Sequence, residues 1–120
     1  MSFATLAACV LALTTIAARQ DQGQVREFTV IGDHYAYSPS TLTVNKDDVV
    51  KITFKAIDIA HSFTIDGPFR ISKRAAAGQA VIFEFRADAV GRWQIYCNLT
   101  ADPKCKDMKG TLEVREASKP

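Results

Sequence analysis

From about residue 25 onward the chain repeats one pattern: short runs in which apolar and polar side chains alternate with period two, each closed by turn formers. The runs are "REFTV", "TLTV", "VVKITFKA", "HSFTID", "QAVIFEFRA", "GRWQIYC" and "GTLEVRE", with "NKDD", "DGP", "AAAGQ" and "DAVG" among the breaks. Alternation of this kind puts one face of an extended chain against a core and the other in water. No segment past residue 20 carries an amphipathic helical repeat. About seven strands at this spacing predict an all-β fold, an antiparallel Greek-key sandwich. At 120 residues the chain has room for one such core. With 48% apolar and 23% charged residues its composition is that of a globular domain, not of a disordered or collagen-like chain. A net charge of +2 without a basic stripe argues against nucleic acid as a partner.

The N-terminus is different in kind. Phe3 to Ala18, "FATLAACVLALTTIAA", carries no charge and is followed at once by the polar run "RQDQGQ". It reads as an export segment, shorter than the roughly 20 apolar residues a spanning helix needs. Small residues at Thr15, Ala17 and Ala18 suit signal-peptide cleavage. The segment has no basic start, which leaves a retained anchor or a buried core helix as the other readings, and "LAAC" ending at Cys9 is similar to a lipidation box. The organisation expected is a signal peptide or N-terminal anchor over 1–18, a polar linker over 19–24, a β-sandwich over 25–116 and a tail over 117–120. The protein is then exported, periplasmic or otherwise extracytoplasmic, and meets a membrane only through an uncleaved N-terminus.

Sulfur is concentrated in one place. Of three cysteines and two methionines, Cys97, Cys105 and Met108 fall within "YCNLTADPKCKDM". Strand parity places Trp93, Ile95 and Cys97 on one face of "GRWQIYC", His61 with Phe63 and Ile65 on one face of "HSFTID", and Leu112 with Val114 on the inner face of "GTLEVRE". His61 and Cys97 therefore face inward at strand ends, where a polar group needs a partner. Each residue alone has an ordinary reading: a hydrogen-bonded core histidine, a packing methionine, a pair of cysteines forming a disulfide in an oxidising compartment. Together, imidazole, thiolate and thioether make a copper-type donor set.

From about Glu27 to Glu116 the chain resembles a cupredoxin, and within that family the copper-A domain of cytochrome c oxidase subunit II. "YSPSTLTV", "DIAHSF", "GRWQIYCN" and "CKDMKGTLEV" carry the resemblance. His61 matches the family's first ligand His, Cys97 its first Cys and Met108 its Met, and the spacing of eleven from Cys97 to Met108 is the family's own. Ala101 stands where the family has its second Cys and Cys105 where it has its second His. The resemblance thus implies a mononuclear copper site of His61, Cys97, Cys105 and Met108, serving electron transfer or copper handling, in place of a thiolate-bridged pair. Its alternative is a metal-free structural or interaction domain with a Cys97–Cys105 disulfide, since both cysteines would face one point.

Trp93, Phe63 and Asn98 are the residues expected around the ligands. His34, in "GDHYAY", reads as a surface turn residue. With two histidines in the whole chain, the histidine clusters of copper enzymes on this scaffold are missing, so no enzymatic activity and no catalytic residue are expected. Lys104, Lys106 and Lys109 flank the loop, and Arg70, Lys73 and Arg74 form a second basic segment, together suiting weak docking of an acidic redox partner to a monomer. Asn98-Leu99-Thr100 is an N-glycosylation sequon whose glycan would obstruct that docking.

Overall fold

The computed structural model describes residues 23–117. The segment 1–18 expected to serve in export, with its Cys9, most of the expected linker over 19–24 and residues 118–120 of the expected tail lie outside the described residues. Among the described residues nine strands form: β1 Val25–Asp33, β2 Ala36–Ser38, β3 Thr41–Asn45, β4 Val49–Ala56, β5 His61–Ile65, β6 Ile71–Ala75, β7 Ala80–Arg86, β8 Gly91–Tyr96 and β9 Lys109–Arg115. They make two sheets, ordered β2-β1-β4-β7 and β3-β9-β8-β5-β6. Among the described residues no helix is long and apolar enough to cross a membrane.

The alternation seen in the sequence is what builds the core. In β4, Val50, Ile52, Phe54 and Ala56 are fully buried while Lys51 and Lys55 point to water. Leu42 and Val44 of β3 and Leu112 and Val114 of β9 do the same from the facing sheet. The aromatic centre is Phe54, Phe63, Phe83 and Tyr37, with Phe63 lying 5.8 Å from Phe54 and 5.3 Å from Phe83 between ring centres. Tilted and edge-on pairs at these spacings add to the area they bury.

The sandwich is not wholly antiparallel, which corrects the expectation. β1 runs parallel to β4, from Val25↔Val49 to Gly32↔Ala56, and β3 runs parallel to β9. Alternation fixes which face a side chain takes but is blind to strand direction. Direction is set by the route: the chain leaves the first sheet after β2, crosses around Pro39 and enters the second as β3, so β4 returns beside β1 in the same sense.

Two strands had weak sequence signals. β2 has three residues, of which only Tyr37 points inward. In β6 the inward row is Ile71, Lys73 and Ala75, and the charge in the middle disguises the period. The Lys73 ammonium reaches out to sit 5.9 Å from the centre of the Phe83 ring. A lysine pointing inward on the edge strand of a sheet discourages pairing with another chain.

Candidate metal centre

His61 is the first residue of β5, delivered by the short loop Ile57 to Ala60 that leaves β4. Its ring is packed on several sides. A Cβ at Gly32 would come within 3.1 Å of the Phe54 ring and 3.3 Å of His61 Cδ2, so the absence of a side chain on β1 is what lets the imidazole sit there. The Tyr35 ring stands edge-on to it at 6.0 Å. Nε2 lies 2.6 Å from Asp58 Oδ1. Nδ1 is buried and has no hydrogen-bond partner.

Asp58 is bound from several sides. Besides His61, its Oδ2 accepts the His34 backbone N–H at 3.1 Å. Desolvation pushes its carboxyl toward protonation, but the hydrogen bonds from His61 and from the backbone N–H groups of Ile59, His34 and Asp58 itself outweigh it and hold the acid well below the usual carboxylate range. The β1–β2 turn that it anchors has His34 and Tyr35 at φ +50° and +59°. Two successive left-handed residues are what a tight two-residue hairpin turn requires, a conformation unusual for a bulky residue such as Tyr35.

The sulfur loop enters from β8. Thr64 pairs with Tyr96, and continuing that antiparallel register sets Cys97 opposite Phe63. Asn98 staples the junction: its N–H donates to Ser62 Oγ at 2.8 Å, its Oδ1 accepts from the same hydroxyl at 2.7 Å, and its Nδ2 donates to Ser72. Cys97 and Cys105 are joined as a disulfide with their Cα atoms 5.2 Å apart. The Leu99 N–H lies 3.2 Å from Cys105 Sγ. A 3-10 turn over Cys105–Asp107 then closes with Met108 N–H donating to the Cys105 carbonyl, which buries Met108 completely. Asp102 holds the outer part of the loop, accepting from Tyr35 Oη at 2.8 Å and from Lys104 N–H at 3.0 Å. That bond to Asp102 raises the Tyr35 phenol above its ordinary value.

His61, Cys97, Cys105 and Met108 are thus all buried, carried by elements that meet at one end of the sandwich. In the disulfide form neither cysteine is a thiolate, so the donor set expected from the sequence is not present in this form. The orphaned Nδ1 of His61 fits a metal ligand, because it is a lone-pair donor kept from water with nothing else to bind. Among the described residues, the His, Cys, Asp and Glu donors that gather within 4.8 Å of one another are those of Asp33, His34 and Asp58. His34 is 86% exposed there, its Nδ1 3.0 Å from Asp33 Oδ1 and its backbone N–H on Asp58 Oδ2.

Of the residues expected around the site, Phe63 and Asn98 adjoin Cys97, one opposite it in register and the other next in the chain. Trp93 does not: its indole stands edge-on to Phe69, meets Gly67 and Gly91, and donates to the Ala89 carbonyl, at the opposite end of β8. Sharing a strand row with Cys97 did not bring it to the same end, because four residues of strand span about 13 Å. Asp58 and Tyr35 are the neighbours of His61 that the sequence reading missed. Asp58 left a signal, an acid three residues before the histidine; Tyr35 left none. The basic residues divide, Arg74 lining a shallow depression with Ile59, Ala60, Leu99 and Ala101, and Arg70 bordering Tyr96 and Asn98. Lys104 leans over the Tyr35 ring at 5.8 Å.

No curated protein sequence matches the chain. The solved structures that it resembles include the periplasmic domain of subunit II of cytochrome oxidase from Bradyrhizobium japonicum, at 14% identity and TM-score 0.65 over 76% of this chain and 84% of that one. Reduced auracyanin from Roseiflexus castenholzii superposes at 18% identity and TM-score 0.62 over 77% and 98%. A multicopper oxidase does so at 18% identity and TM-score 0.65 over 80% of this chain, which spans only 45% of the oxidase. At these identities the likeness is one of fold. The family model for the cupredoxin-like domain matches residues 4–114, and the chain therefore belongs to the cupredoxin-like domain family.

Proposed function

We propose that this chain is an exported copper-binding protein with a single mononuclear site, held by His61, Cys97, Cys105 and Met108 in the dithiol form, and that it acts in electron transfer or copper handling without being an enzyme. The observation that carries the reading is His61 itself. Its Nε2 is committed to Asp58, and its Nδ1 is buried without a partner at the end of the sandwich that also buries Cys97, Cys105 and Met108. A buried acceptor left open costs stability, and a metal would satisfy it.

Copper bound there would supply one-electron transfer between its cuprous and cupric states, and two thiolates with a thioether favour the softer, cuprous ion. The chain's own residues do the rest. Tyr35 covers the imidazole edge-on, the Leu99 N–H faces the Cys105 sulfur, and the Asn98 staple holds Cys97 in place. Arg74 in the depression and Lys104 over the Tyr35 ring suit brief docking of an acidic redox protein.

The second reading is a metal-free domain stapled by Cys97–Cys105, favoured by the bond itself. Free-thiol titration and copper analysis of the protein purified from its exported compartment separate the two. Two titratable thiols at these positions with near-stoichiometric copper support the site. A closed disulfide that, after reduction by a phosphine, still takes up no copper leaves the structural reading.

A further inference from the structure

We propose that two copies of this chain pair along β7, antiparallel about a two-fold axis at Phe85, so that Glu84 of each strand faces Arg86 of the other. β7 is an edge of the sheet β2-β1-β4-β7. Its register on β4 runs from Val49↔Arg86 to Lys55↔Ala80. Just beyond its two ends, the Ala56 N–H donates to the Gln79 carbonyl and the Ala87 N–H to the Asp48 carbonyl. Bonded and unbonded pairs alternate along an antiparallel ladder, so Val81, Phe83 and Phe85 turn their main chain to β4 as Gln79 and Ala87 do. The N–H and C=O groups of Ala80, Ile82, Glu84 and Arg86 turn to the open side. Among the described residues no strand pairs with them there.

The other three edges are guarded. β2 has three residues and β3 five, and β6 has five with Lys73 on its inner row. Short edges and inward charges keep a sheet from adding another chain's strand. β7 has seven residues, neither lysine nor proline, and an unbroken alternation in which Ala80, Ile82, Glu84 and Arg86 are all exposed. Ile82 is 64% exposed.

What fits this edge is β7 itself. Paired antiparallel about Phe85, its two charges complement each other, with Glu84 opposite Arg86 of the second copy and the reverse. Each of these pairs exchanges two main-chain hydrogen bonds. The Arg86 carbonyl already takes the Asp88 N–H at 3.0 Å and has a second lone pair for the ladder. Ile82 stands diagonal to Arg86 of the second copy, within reach of its aliphatic stem. On the inner side Phe85, half-buried and 5.6 Å from Phe69 between ring centres, meets its own copy across the axis. An axis at Glu84 would instead set two carboxylates face to face. An axis at Phe83 would draw together the two Lys73 ammoniums, each 5.9 Å from that ring.

Phe85 pairs with Val50 at the start of β4, whereas His61 follows that strand's end. The dimer therefore leaves the end with His61 and the sulfur loop open, and it stands whether or not the chain binds copper. It departs from the monomer expected of the sequence.

The test is sedimentation equilibrium of the full chain over a range of concentrations, with wild type beside Glu84→Arg, Arg86→Glu and the double exchange. So short a ladder buries less than the roughly 1,200 Å² at which standard interfaces begin, so the wild type should show a weak, concentration-dependent dimer. Each single reversal sets like charges opposite each other at both pairs and should weaken the dimer by roughly 10-fold or more. The double exchange should restore it. Hydrogen exchange read by NMR gives a second measure: the Glu84 and Arg86 amides should gain protection as concentration rises, while those of Phe83 and Phe85, bonded to β4, stay protected throughout. A wild type that remains monomeric at the highest concentration reached overturns the proposal. So does a dimer that ignores both reversals, or one in which the Glu84 and Arg86 amides exchange at a rate independent of concentration, since it is built on another surface. A double exchange that fails to restore the dimer overturns the axis at Phe85. Should a reversal fail to fold, exchange in the wild type still decides whether the β7 edge is paired.

Discussion

Asp58 Oδ1 and His61 Nε2 lie 2.6 Å apart across three residues of one loop, a link between the surface of this end of the sandwich and its buried interior. The side chains differ sharply in exposure, 27% for Asp58 and 1% for His61. A change made at the surface is therefore felt at a ring that water does not reach.

Gly32→Ala tests how tightly that ring is held. The new methyl would stand 3.1 Å from the Phe54 ring and 3.3 Å from His61 Cδ2, both fully buried. Overpacking of this kind costs about 1 to 3 kcal/mol. Denaturant unfolding should show that loss together with a shift of the His61 ring signals. An unchanged midpoint would mean that the β1 edge yields more easily than its packing implies.

Cys105→Ser separates the two roles of the sulfur loop. Removing the disulfide frees a closed loop with a sequence separation of 8, which the chain-entropy account values at about 2.5 kcal/mol. Under oxidising conditions the variant should be less stable by roughly that amount. Under reducing conditions the stability difference should shrink while cuprous copper binding falls steeply. Equal copper affinity in the reduced wild type and the variant would remove Cys105 from the ligand set. Met108→Leu should be milder, because an axial thioether tunes a potential more than it holds a metal.

These loop variants touch what the sequence made least legible. β4 was readable to its exact ends because strict alternation of Val50, Ile52, Phe54 and Ala56 with polar neighbours leaves one arrangement. β6 was hidden by Lys73, whose stem is inward and whose charge is not. The family's loop spacing pointed to His61, Cys97, Cys105 and Met108, but no pattern local in sequence links Tyr35 to Asp102, which are 67 residues apart. Nor does spacing state whether two thiols are free or joined, since that depends on the redox environment as much as on distance.

Acid should unfold the protein in part through Asp48. Its side chain is 2% exposed and accepts from the backbone N–H groups of Gln24 and Asn45 and from Arg26 Nε. Burial alone would raise its pKa, but those three donors prevail and lower it. A lowered folded pKa means that the carboxylate contributes stability above the unfolded value of about 4 and loses it as pH falls through the folded one. Asp48→Ala should cost about 1 to 3 kcal/mol at pH 7. The gap to wild type should narrow below pH 4 in a series of denaturant melts, and a gap independent of pH would show that the ionised form does not matter.

Alkali should act through Tyr37, whose phenol is raised well above the usual tyrosine value because it is buried. The sign is opposite: the neutral form is the one the fold accepts, so stability is intact below about pH 10 and falls as pH rises beyond the unfolded pKa. Tyr37→Phe removes the titrating group at the cost of its hydrogen bond to the Ser62 carbonyl. It should be less stable than wild type near pH 7 and lose less between pH 9 and pH 11, measured by unfolding at each pH. Parallel losses would place the alkaline transition elsewhere.

Ala101 carries the last prediction, because it occupies the position at which the similar copper-A domains have a second cysteine. Here that position is exposed beside Leu99 and Asp102, while Cys105 four residues on is buried. The outer loop is held in this pose by Tyr35 Oη on Asp102 and by the Lys104 N–H on the same carboxylate. A thiol introduced by Ala101→Cys should therefore face solvent, and a disulfide-exchange reagent should titrate one more fast-reacting thiol than in the native wild type. Combined with Cys105→His, it would restore the family's order of residues yet leave the new thiol turned away from His61, so no dinuclear centre with its purple colour should form on adding copper. Protection of the thiol at position 101, or a purple centre in the double variant, would mean that the loop turns inward when copper arrives, and that Tyr35 and Asp102 part as it does so.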